Sequence, residues 1–227
     1  MCGRYAFFSP AESVRRLFAL AAVPALAPRY NIAPTQDVTA VRAAGGAREL
    51  VLLHWGLVPR WARERALGNR MINARAETLA VKPAFRDAFR RRRCLVVADG
   101  WYEWQAAPGG RQPWFIRTRD AQPLAFAGLW ERWTDPAGGQ PLESCALVTT
   151  DATASLRRIH DRMPVVLPPE HWPRWLDPDC ADVPALGALL GPGDDARFEA
   201  WPVSRAVNSP RNEGPALIER AGGPEPA

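Results

Sequence analysis

Short apolar runs separated by turn residues fill the middle of this chain, and they limit its fold more than any other feature. Residues 37–43 and 49–55 are apolar-rich and flank Gly45-Gly46, which reads as a hairpin. Cys94-Leu95-Val96-Val97-Ala98 reads as a buried strand. Residues 101–105 and 112–118 flank Pro108-Gly109-Gly110, and 124–130 and 144–150 are further strands. Helical patterns lie between and beside these runs. Ser9-Pro10-Ala11-Glu12 has the form of a capping box with Pro at the first helical position, so a helix is predicted over about 10–21. Residues 83–93, with Phe85, Ala88 and Phe89 inward, and 151–158, 169–176 and 183–190 read as further helices. Strands and helices do not alternate strictly, which argues against a doubly wound parallel sheet. The prediction is an α+β fold with a curved, barrel-like, mixed or antiparallel sheet and peripheral helices. No repeat or linker divides the 227 residues, a length that buries a full core. One domain is expected over 2–218. The Gly/Pro-rich end is expected to fray from about Gly214, with 219–227 as a flexible tail.

Composition removes several classes of function. No apolar stretch approaches the roughly 18 residues a membrane span requires. The start of the chain lacks the charged-then-apolar pattern of a secretory signal, so a cytoplasmic location is expected. Cys2, Cys94, Cys145 and Cys180 form no close pair, and His54, His160 and His171 have no metal-ligand spacing. Neither a disulfide framework nor a metal site is suggested. The net charge of +5 favours a polyanionic partner. Lys82 is the only lysine among 29 basic residues.

That last fact bears on the first residues, Met1-Cys2-Gly3-Arg4. Removal of Met1 would leave Cys2 with an α-amine and a thiol on adjacent carbons. The pair can attack one aldehyde carbon twice and close a thiazolidine, or act as nucleophile and base on an amide. Equally, Cys2 reads as an incidental small residue near a frayed end. For Schiff-base chemistry only the α-amine and Lys82 are available. At pH 7 about a tenth of an α-amine is neutral against well under a thousandth of a lysine, so the terminal amine is the better nucleophile.

Other polar positions carry two readings each. Glu103 alternates with aromatics in Trp101-Tyr102-Glu103-Trp104, as a solvated edge or a carboxylate on a pocket floor. His160, beside Asp161 and Arg162, is a helix-end cap or a catalyst. Asn73 satisfies a turn or positions a reactant. Trp61 is a core anchor or an exposed platform. Arg4, Arg75 and Arg162 are singly unremarkable in so arginine-rich a chain.

Taken together, the segments resemble the SRAP family, the SOS-response-associated-peptidase or abasic-site-processing proteins. The resemblance rests on Cys2-Gly3-Arg4, Tyr30-Asn31-Ile32-Ala33-Pro34-Thr35, Trp55-Gly56-Leu57-Val58-Pro59-Arg60-Trp61 and Asn73-Ala74-Arg75-Ala76-Glu77-Thr78. It continues through Ala98-Asp99-Gly100, Glu103-Trp104, Ile159-His160-Asp161-Arg162-Met163-Pro164, and Val203 to Asn208. It runs from Cys2 to about Ile218.

The resemblance implies a sensor of abasic sites in single-stranded DNA that crosslinks covalently through Cys2 and shields the lesion, with Met1 removed, autocatalysis being one route. It implies catalytic roles for Cys2, Asn73, Glu103 and His160. Glu103 would shuttle protons, His160 would assist sugar ring opening, and Asn73 would position the reacting atoms. Arg4, Arg75 and Arg162 are implied phosphate contacts, and Pro34 and Trp61 would stack on bases flanking the lesion. No cofactor or metal is implied, and the expected state is a monomer on DNA, with replication-fork proteins as conceivable partners. The alternative is an N-terminal-nucleophile thiol amidohydrolase or peptidase.

Overall fold

Gly45 and Gly46 both adopt positive φ, 56° and 83°, which a two-residue hairpin turn requires. The strands Asp37–Ala44 and Ala47–Trp55 pair antiparallel across them, from Ala44↔Ala47 to Asp37↔His54. The rest of the computed structural model, which describes residues 2–222, is arranged around this hairpin.

In chain order the elements are β1 (Tyr5–Phe7), α1 (Ala11–Leu17), β2 (Arg29–Ile32), β3 (Asp37–Ala44), β4 (Ala47–Trp55), β5 (Asn73–Arg75), α2 (Arg86–Arg91) and β6 (Arg93–Ala98). They continue with β7 (Gly100–Ala107), β8 (Gly110–Thr118), β9 (Leu124–Trp133), β10 (Leu142–Asp151) and β11 (Arg162–Pro164). The last are α3 (Trp172–Leu176), α4 (Val183–Gly187) and β12 (Phe198–Pro202). An antiparallel sheet has the order β12-β8-β7-β1-β2. A second, mixed sheet has the order β11-β10-β4-β3-β6-β9, and β10 also pairs with β5 and β9. The second sheet therefore curls into a ring. It stops short of a fully closed barrel, because β10 holds β4 only at Ser144↔His54 and Cys145↔Trp55 before β5 takes over. The architecture is the predicted α+β single domain with curved sheets and small peripheral helices.

Aromatic side chains join the sheets. Tyr5 of β1 meets the rings of Trp55 and Phe126 edge-on at 5.4 and 5.8 Å, and Trp101 of β7 meets Phe126 at 5.9 Å. Such contacts are worth about 0.5–1.5 kcal/mol each beyond the area they bury. Gly100 is required where β7 starts. A Cβ there would lie 2.4 Å from the Phe115 ring and 2.6 Å from the Ile116 carbonyl oxygen.

Four local expectations change. The helix predicted over 10–21 ends at Leu17. Ala19 takes φ 52°, and Leu20 N–H and Ala19 N–H bond back to Arg15 O and Arg16 O in a left-handed C-cap. Ser9 does not cap that helix, because its hydroxyl and its N–H both go to Asp99. In the helix expected over 151–158, residues 154–159 instead form successive turns. There Asp195 accepts from the Ser155 N–H and hydroxyl, the latter at 2.6 Å. The chain beyond Gly214 is held at several points. Leu217 is buried, Val203 bridges Arg220, and Ala221 N–H donates to Pro202 O. Residues 223–227 of the expected tail lie outside the described residues. No helix among those described is long and apolar enough to cross a membrane.

Candidate active site

β1 is an inner strand of its sheet, between β7 and β2, and this fixes where the chain begins. Tyr5 faces Trp101, and Tyr102 N–H donates to Arg4 O at 2.9 Å. Continuing that register sets Gly3 opposite Glu103. Cys2 is fully buried at the end of this ladder, not frayed. Its carbonyl accepts from Asn73 Nδ2 at 2.7 Å, and its Sγ lies 3.9 Å from Arg4 O. Asn73 is carried by β5, whose register on β10 is Leu147↔Asn73. The amide thus satisfies a backbone carbonyl, and that carbonyl belongs to the candidate nucleophile. Asn73 Oδ1 is left as a buried acceptor without a donor among the described residues.

Glu103 is 2% exposed, so it is a buried carboxylate and not a solvated edge. Burial pushes its pKa up to about 7. Burial, reinforced by the charge of Glu103, holds the Cys2 thiol far above its ordinary value, so the sulfur is a neutral thiol at pH 7. His160 Nε2 lies 4.0 Å from Glu103 Oε2. With no helix ahead of it, His160 is not a helix-end cap. Its Nδ1 accepts the Arg162 N–H at 3.0 Å, and also lies 2.9 Å from Asp161 Oδ1. A backbone N–H can only donate. That contact therefore sets the tautomer, with the ring proton on Nε2 facing Glu103, and the exposed Asp161 carboxylate is a secondary neighbour. Burial lowers the His160 pKa, so the ring is neutral near pH 7.

Cys2, Asn73, Glu103 and His160 are therefore brought together from four separate segments. The six residues 2, 4, 73, 103, 160 and 162 are linked by contacts or adjacent backbone, but the three arginines are used differently. Arg4 Nη1 donates to Asn31 Oδ1 and Val207 O, both at 2.7 Å. Arg162 is forked onto Glu77 at 2.8 and 3.0 Å, and also bonds Asp151 at 2.6 Å and Thr149 O at 2.8 Å. Arg75 alone is exposed, with no ion pair among the described residues. Pro34 is half-buried in the turn after β2. Trp61 is 58% exposed, which excludes a core anchor. Lys82 is exposed.

Two residues that hold this arrangement went unassigned in the sequence. Asn31 is fully buried and donates to Ser209 O and Asn212 O while accepting from Arg4. Asp99 gathers the Phe8 and Ser9 N–H groups and the Ser9 hydroxyl, fixing the exit of β1. Both lie inside recognisable segments, and a buried polar residue flanked by apolar neighbours was the available clue.

The family model for SOS response associated peptidase (SRAP) matches residues 1–210, and the chain belongs to that family. It is 41% identical over 223 residues to the abasic site processing protein YoqW of Bacillus subtilis (strain 168), spanning 96% of this chain and 99% of that one. It is 33% identical over 226 residues to the abasic site processing protein YedK of Escherichia coli (strain K12), spanning 96% and 99%. The abasic site processing protein HMCES of Gallus gallus is 35% identical over 201 residues, spanning 78% of this chain and 59% of that protein. A crystal structure of a protein from Bacteroides thetaiotaomicron superposes with a TM-score of 0.88 at 25% identity, covering 97% of this chain and all of that one.

Proposed function

We propose that this protein processes abasic sites in single-stranded DNA by capturing the ring-opened sugar aldehyde on Cys2 once Met1 is gone. The observation that carries the reading is a chain end held by Asn73 beside a buried carboxyl whose pKa is about 7. Such a group can both give and take a proton at neutral pH.

The proton balance closes on that one carboxyl. The neutral α-amine adds to the aldehyde carbon, and its proton moves to the oxygen, giving a carbinolamine. Protonated Glu103 donates to the hydroxyl, which leaves as water, and an iminium remains. Sγ then attacks the iminium carbon, the π pair returns to nitrogen, and the thiol proton passes to the Glu103 carboxylate. The product is a thiazolidine, heavier than the protein by the DNA minus one water. A neutral thiol needs such a base, which is why the raised thiol pKa and the nearby carboxyl belong together. His160, with its proton on Nε2, suits donation to the sugar ring oxygen during opening. Asn73 Oδ1 awaits a donor such as the freed α-amine. Trp61 and Pro34 would stack on flanking bases, each base worth about 1–3 kcal/mol, and Arg75 would meet a phosphate. The reading as a thiol peptidase is less well supported, because a hydrolytic cysteine wants its thiolate favoured and burial here does the reverse.

The test is intact mass and a denaturing gel of Met1-free protein mixed with single-stranded DNA carrying one abasic site. A heat-stable adduct of protein plus DNA minus one water is expected, absent with Cys2→Ala. No adduct, with Met1 removal verified, rejects the covalent trap.

A further inference from the structure

An arginine cleft lies outside the centre just described. Arg60, Arg90, Arg91, Arg92 and Asp87 line a depression of about 330 Å³. Four guanidinium groups thus face a single carboxylate. Asp87 pairs with Arg86 at 3.8 Å, and Arg92 with Glu131 at 2.7 Å. Arg60, Arg90 and Arg91 are exposed and make no ion pair among the described residues. Like charges crowded in one cleft repel, and a bound polyanion relieves that repulsion. Each guanidinium fork matches two phosphate oxygens.

The cleft joins the centre along β10. Leu147 of β10 is level with Asn73, which holds Cys2. Three residues back, about 10 Å along the strand, Ser144 Oγ accepts the Val58 N–H at 2.8 Å. That bond fixes the turn carrying Arg60 and exposed Trp61. Arg60 shares the cleft with Arg92, whose carbonyl accepts the Trp130 N–H of β9, and with Arg90 and Arg91 at the end of α2. The turn with Arg60 and Trp61 is thus tied to the same strand as Asn73, and Arg60 opens it onto the arginine cleft.

The geometry points to the Arg60–Arg90–Arg91 cleft as a second binding site, which grips backbone phosphates of the nucleic-acid strand several nucleotides away from the residue held at Cys2. This inference rests on the proposed reading of the Cys2 centre for the position of the strand. Its chemistry is sequence-blind and depends on strand length, because a short strand ends before the cleft.

The test compares wild type with Arg90→Ala/Arg91→Ala in fluorescence anisotropy. Arg92 is left in place to keep its bond to Glu131. The probes are a short strand of about 5 nucleotides and a long one of about 20, each with a central abasic site or undamaged. The double variant is expected to bind the long strands about tenfold more weakly at 0.1 M salt, with the slope of log affinity against log salt shallower by about 1.4, two single-strand phosphates. Binding of the short strand and the crosslinking rate on it stay unchanged, and Arg60→Ala, on a separate loop, reproduces the length-dependent loss. An unchanged melting curve excludes misfolding. Equal losses on short and long strands, or none on either, overturn the inference. So does inorganic phosphate displacing both lengths alike, which would mark a small-anion site. If wild type never crosslinks but the arginine-dependent length effect persists on undamaged strands, the covalent reading falls and the cleft stands. If crosslinking is intact and the length effect is missing, the cleft falls alone.

Discussion

The Cys2 centre and the arginine cleft both contain arginine, and they use it in opposite ways. At the centre, Arg162 is 11% exposed and spends its donors on Glu77, Asp151 and a carbonyl. Arg4 is committed to Asn31 and Val207 O. Carboxylates neutralise Arg162, neutral oxygens take up the donors of Arg4, and geometry is fixed. In the cleft, Arg60, Arg90 and Arg91 stand in water and keep their charge. Proton transfer needs atoms fixed in a low-dielectric pocket, whereas gripping any phosphate needs only charge within reach. The number of arginines in a segment does not separate these roles. The buried acceptors that take up their donors do.

The hardest test of the rigid centre is its first atom. Protein with Met1 retained, or with residues added ahead of Cys2, has an amide where the free amine should be. Crosslinking on a denaturing gel should fall at least about 100-fold, since a lysine ε-amine is ordinarily far less often neutral than an α-amine. Full-rate crosslinking by such a protein would remove the amine from the mechanism and the contrast with it.

Glu103→Gln should slow crosslinking about 100-fold at pH 7 while leaving DNA affinity within about twofold. Equal losses in rate and affinity would make Glu103 a structural residue. Wild type should show a bell-shaped rate profile. The acid limb follows loss of the neutral amine, and the alkaline limb follows ionisation of Glu103 near pH 7. The variant should lose the alkaline limb. Stability supplies an independent readout. The folded pKa of Glu103 is raised above its unfolded value, so its contribution is full below about pH 4 and fades as pH rises through about 7. Melting temperature measured from pH 4 to 8 should therefore fall less in Glu103→Gln than in wild type.

A smaller effect separates framework from chemistry. Asp99→Asn sets an NH2 group or a weaker acceptor against three donors and should cost about 2 kcal/mol in urea unfolding. Crosslinking per folded molecule should change less than in Glu103→Gln, because Asp99 holds the exit of β1 and not the reacting atoms.

The smallest effect lies beside Pro34. Thr35 is exposed, β-branched and at φ 72°, a conformation a threonine rarely adopts. Its N–H donates to Trp55 O at 2.8 Å, so the neighbouring strand holds it there. Thr35→Gly should raise stability by about 1 kcal/mol and melting temperature by about 2–4 °C. A loss of stability instead would mean the side chain contributes contacts the exposed position does not suggest.

Much of the fold was legible because it is local. Gly45-Gly46 marks its hairpin, and the apolar run from Cys94 to Ala98 is buried throughout. The failures share one cause, a partner distant in sequence. Ser9 has every local reason to cap α1, yet Asp99 takes its hydroxyl. Residues 151–158 read as a helix, yet Asp195 captures Ser155 and residues 154–159 turn repeatedly toward His160. The centre shows the same division. Cys2, Asn73, Glu103 and His160 stand out as residue types in readable segments. The fate of each guanidinium does not, because Arg162 meets Glu77, 85 positions earlier in the chain.

The burial of Cys2 also bears on chemical self-defence. A terminal aminothiol in solution is a scavenger, consumed by small aldehydes and by peroxide. With Met1 still ahead of it, the sulfur has no exposed surface and is held as the neutral thiol, the form that reacts poorly with peroxide. The sheet that carries the sulfur therefore also sheathes it, and under the proposed reading keeps it unspent until Met1 is removed.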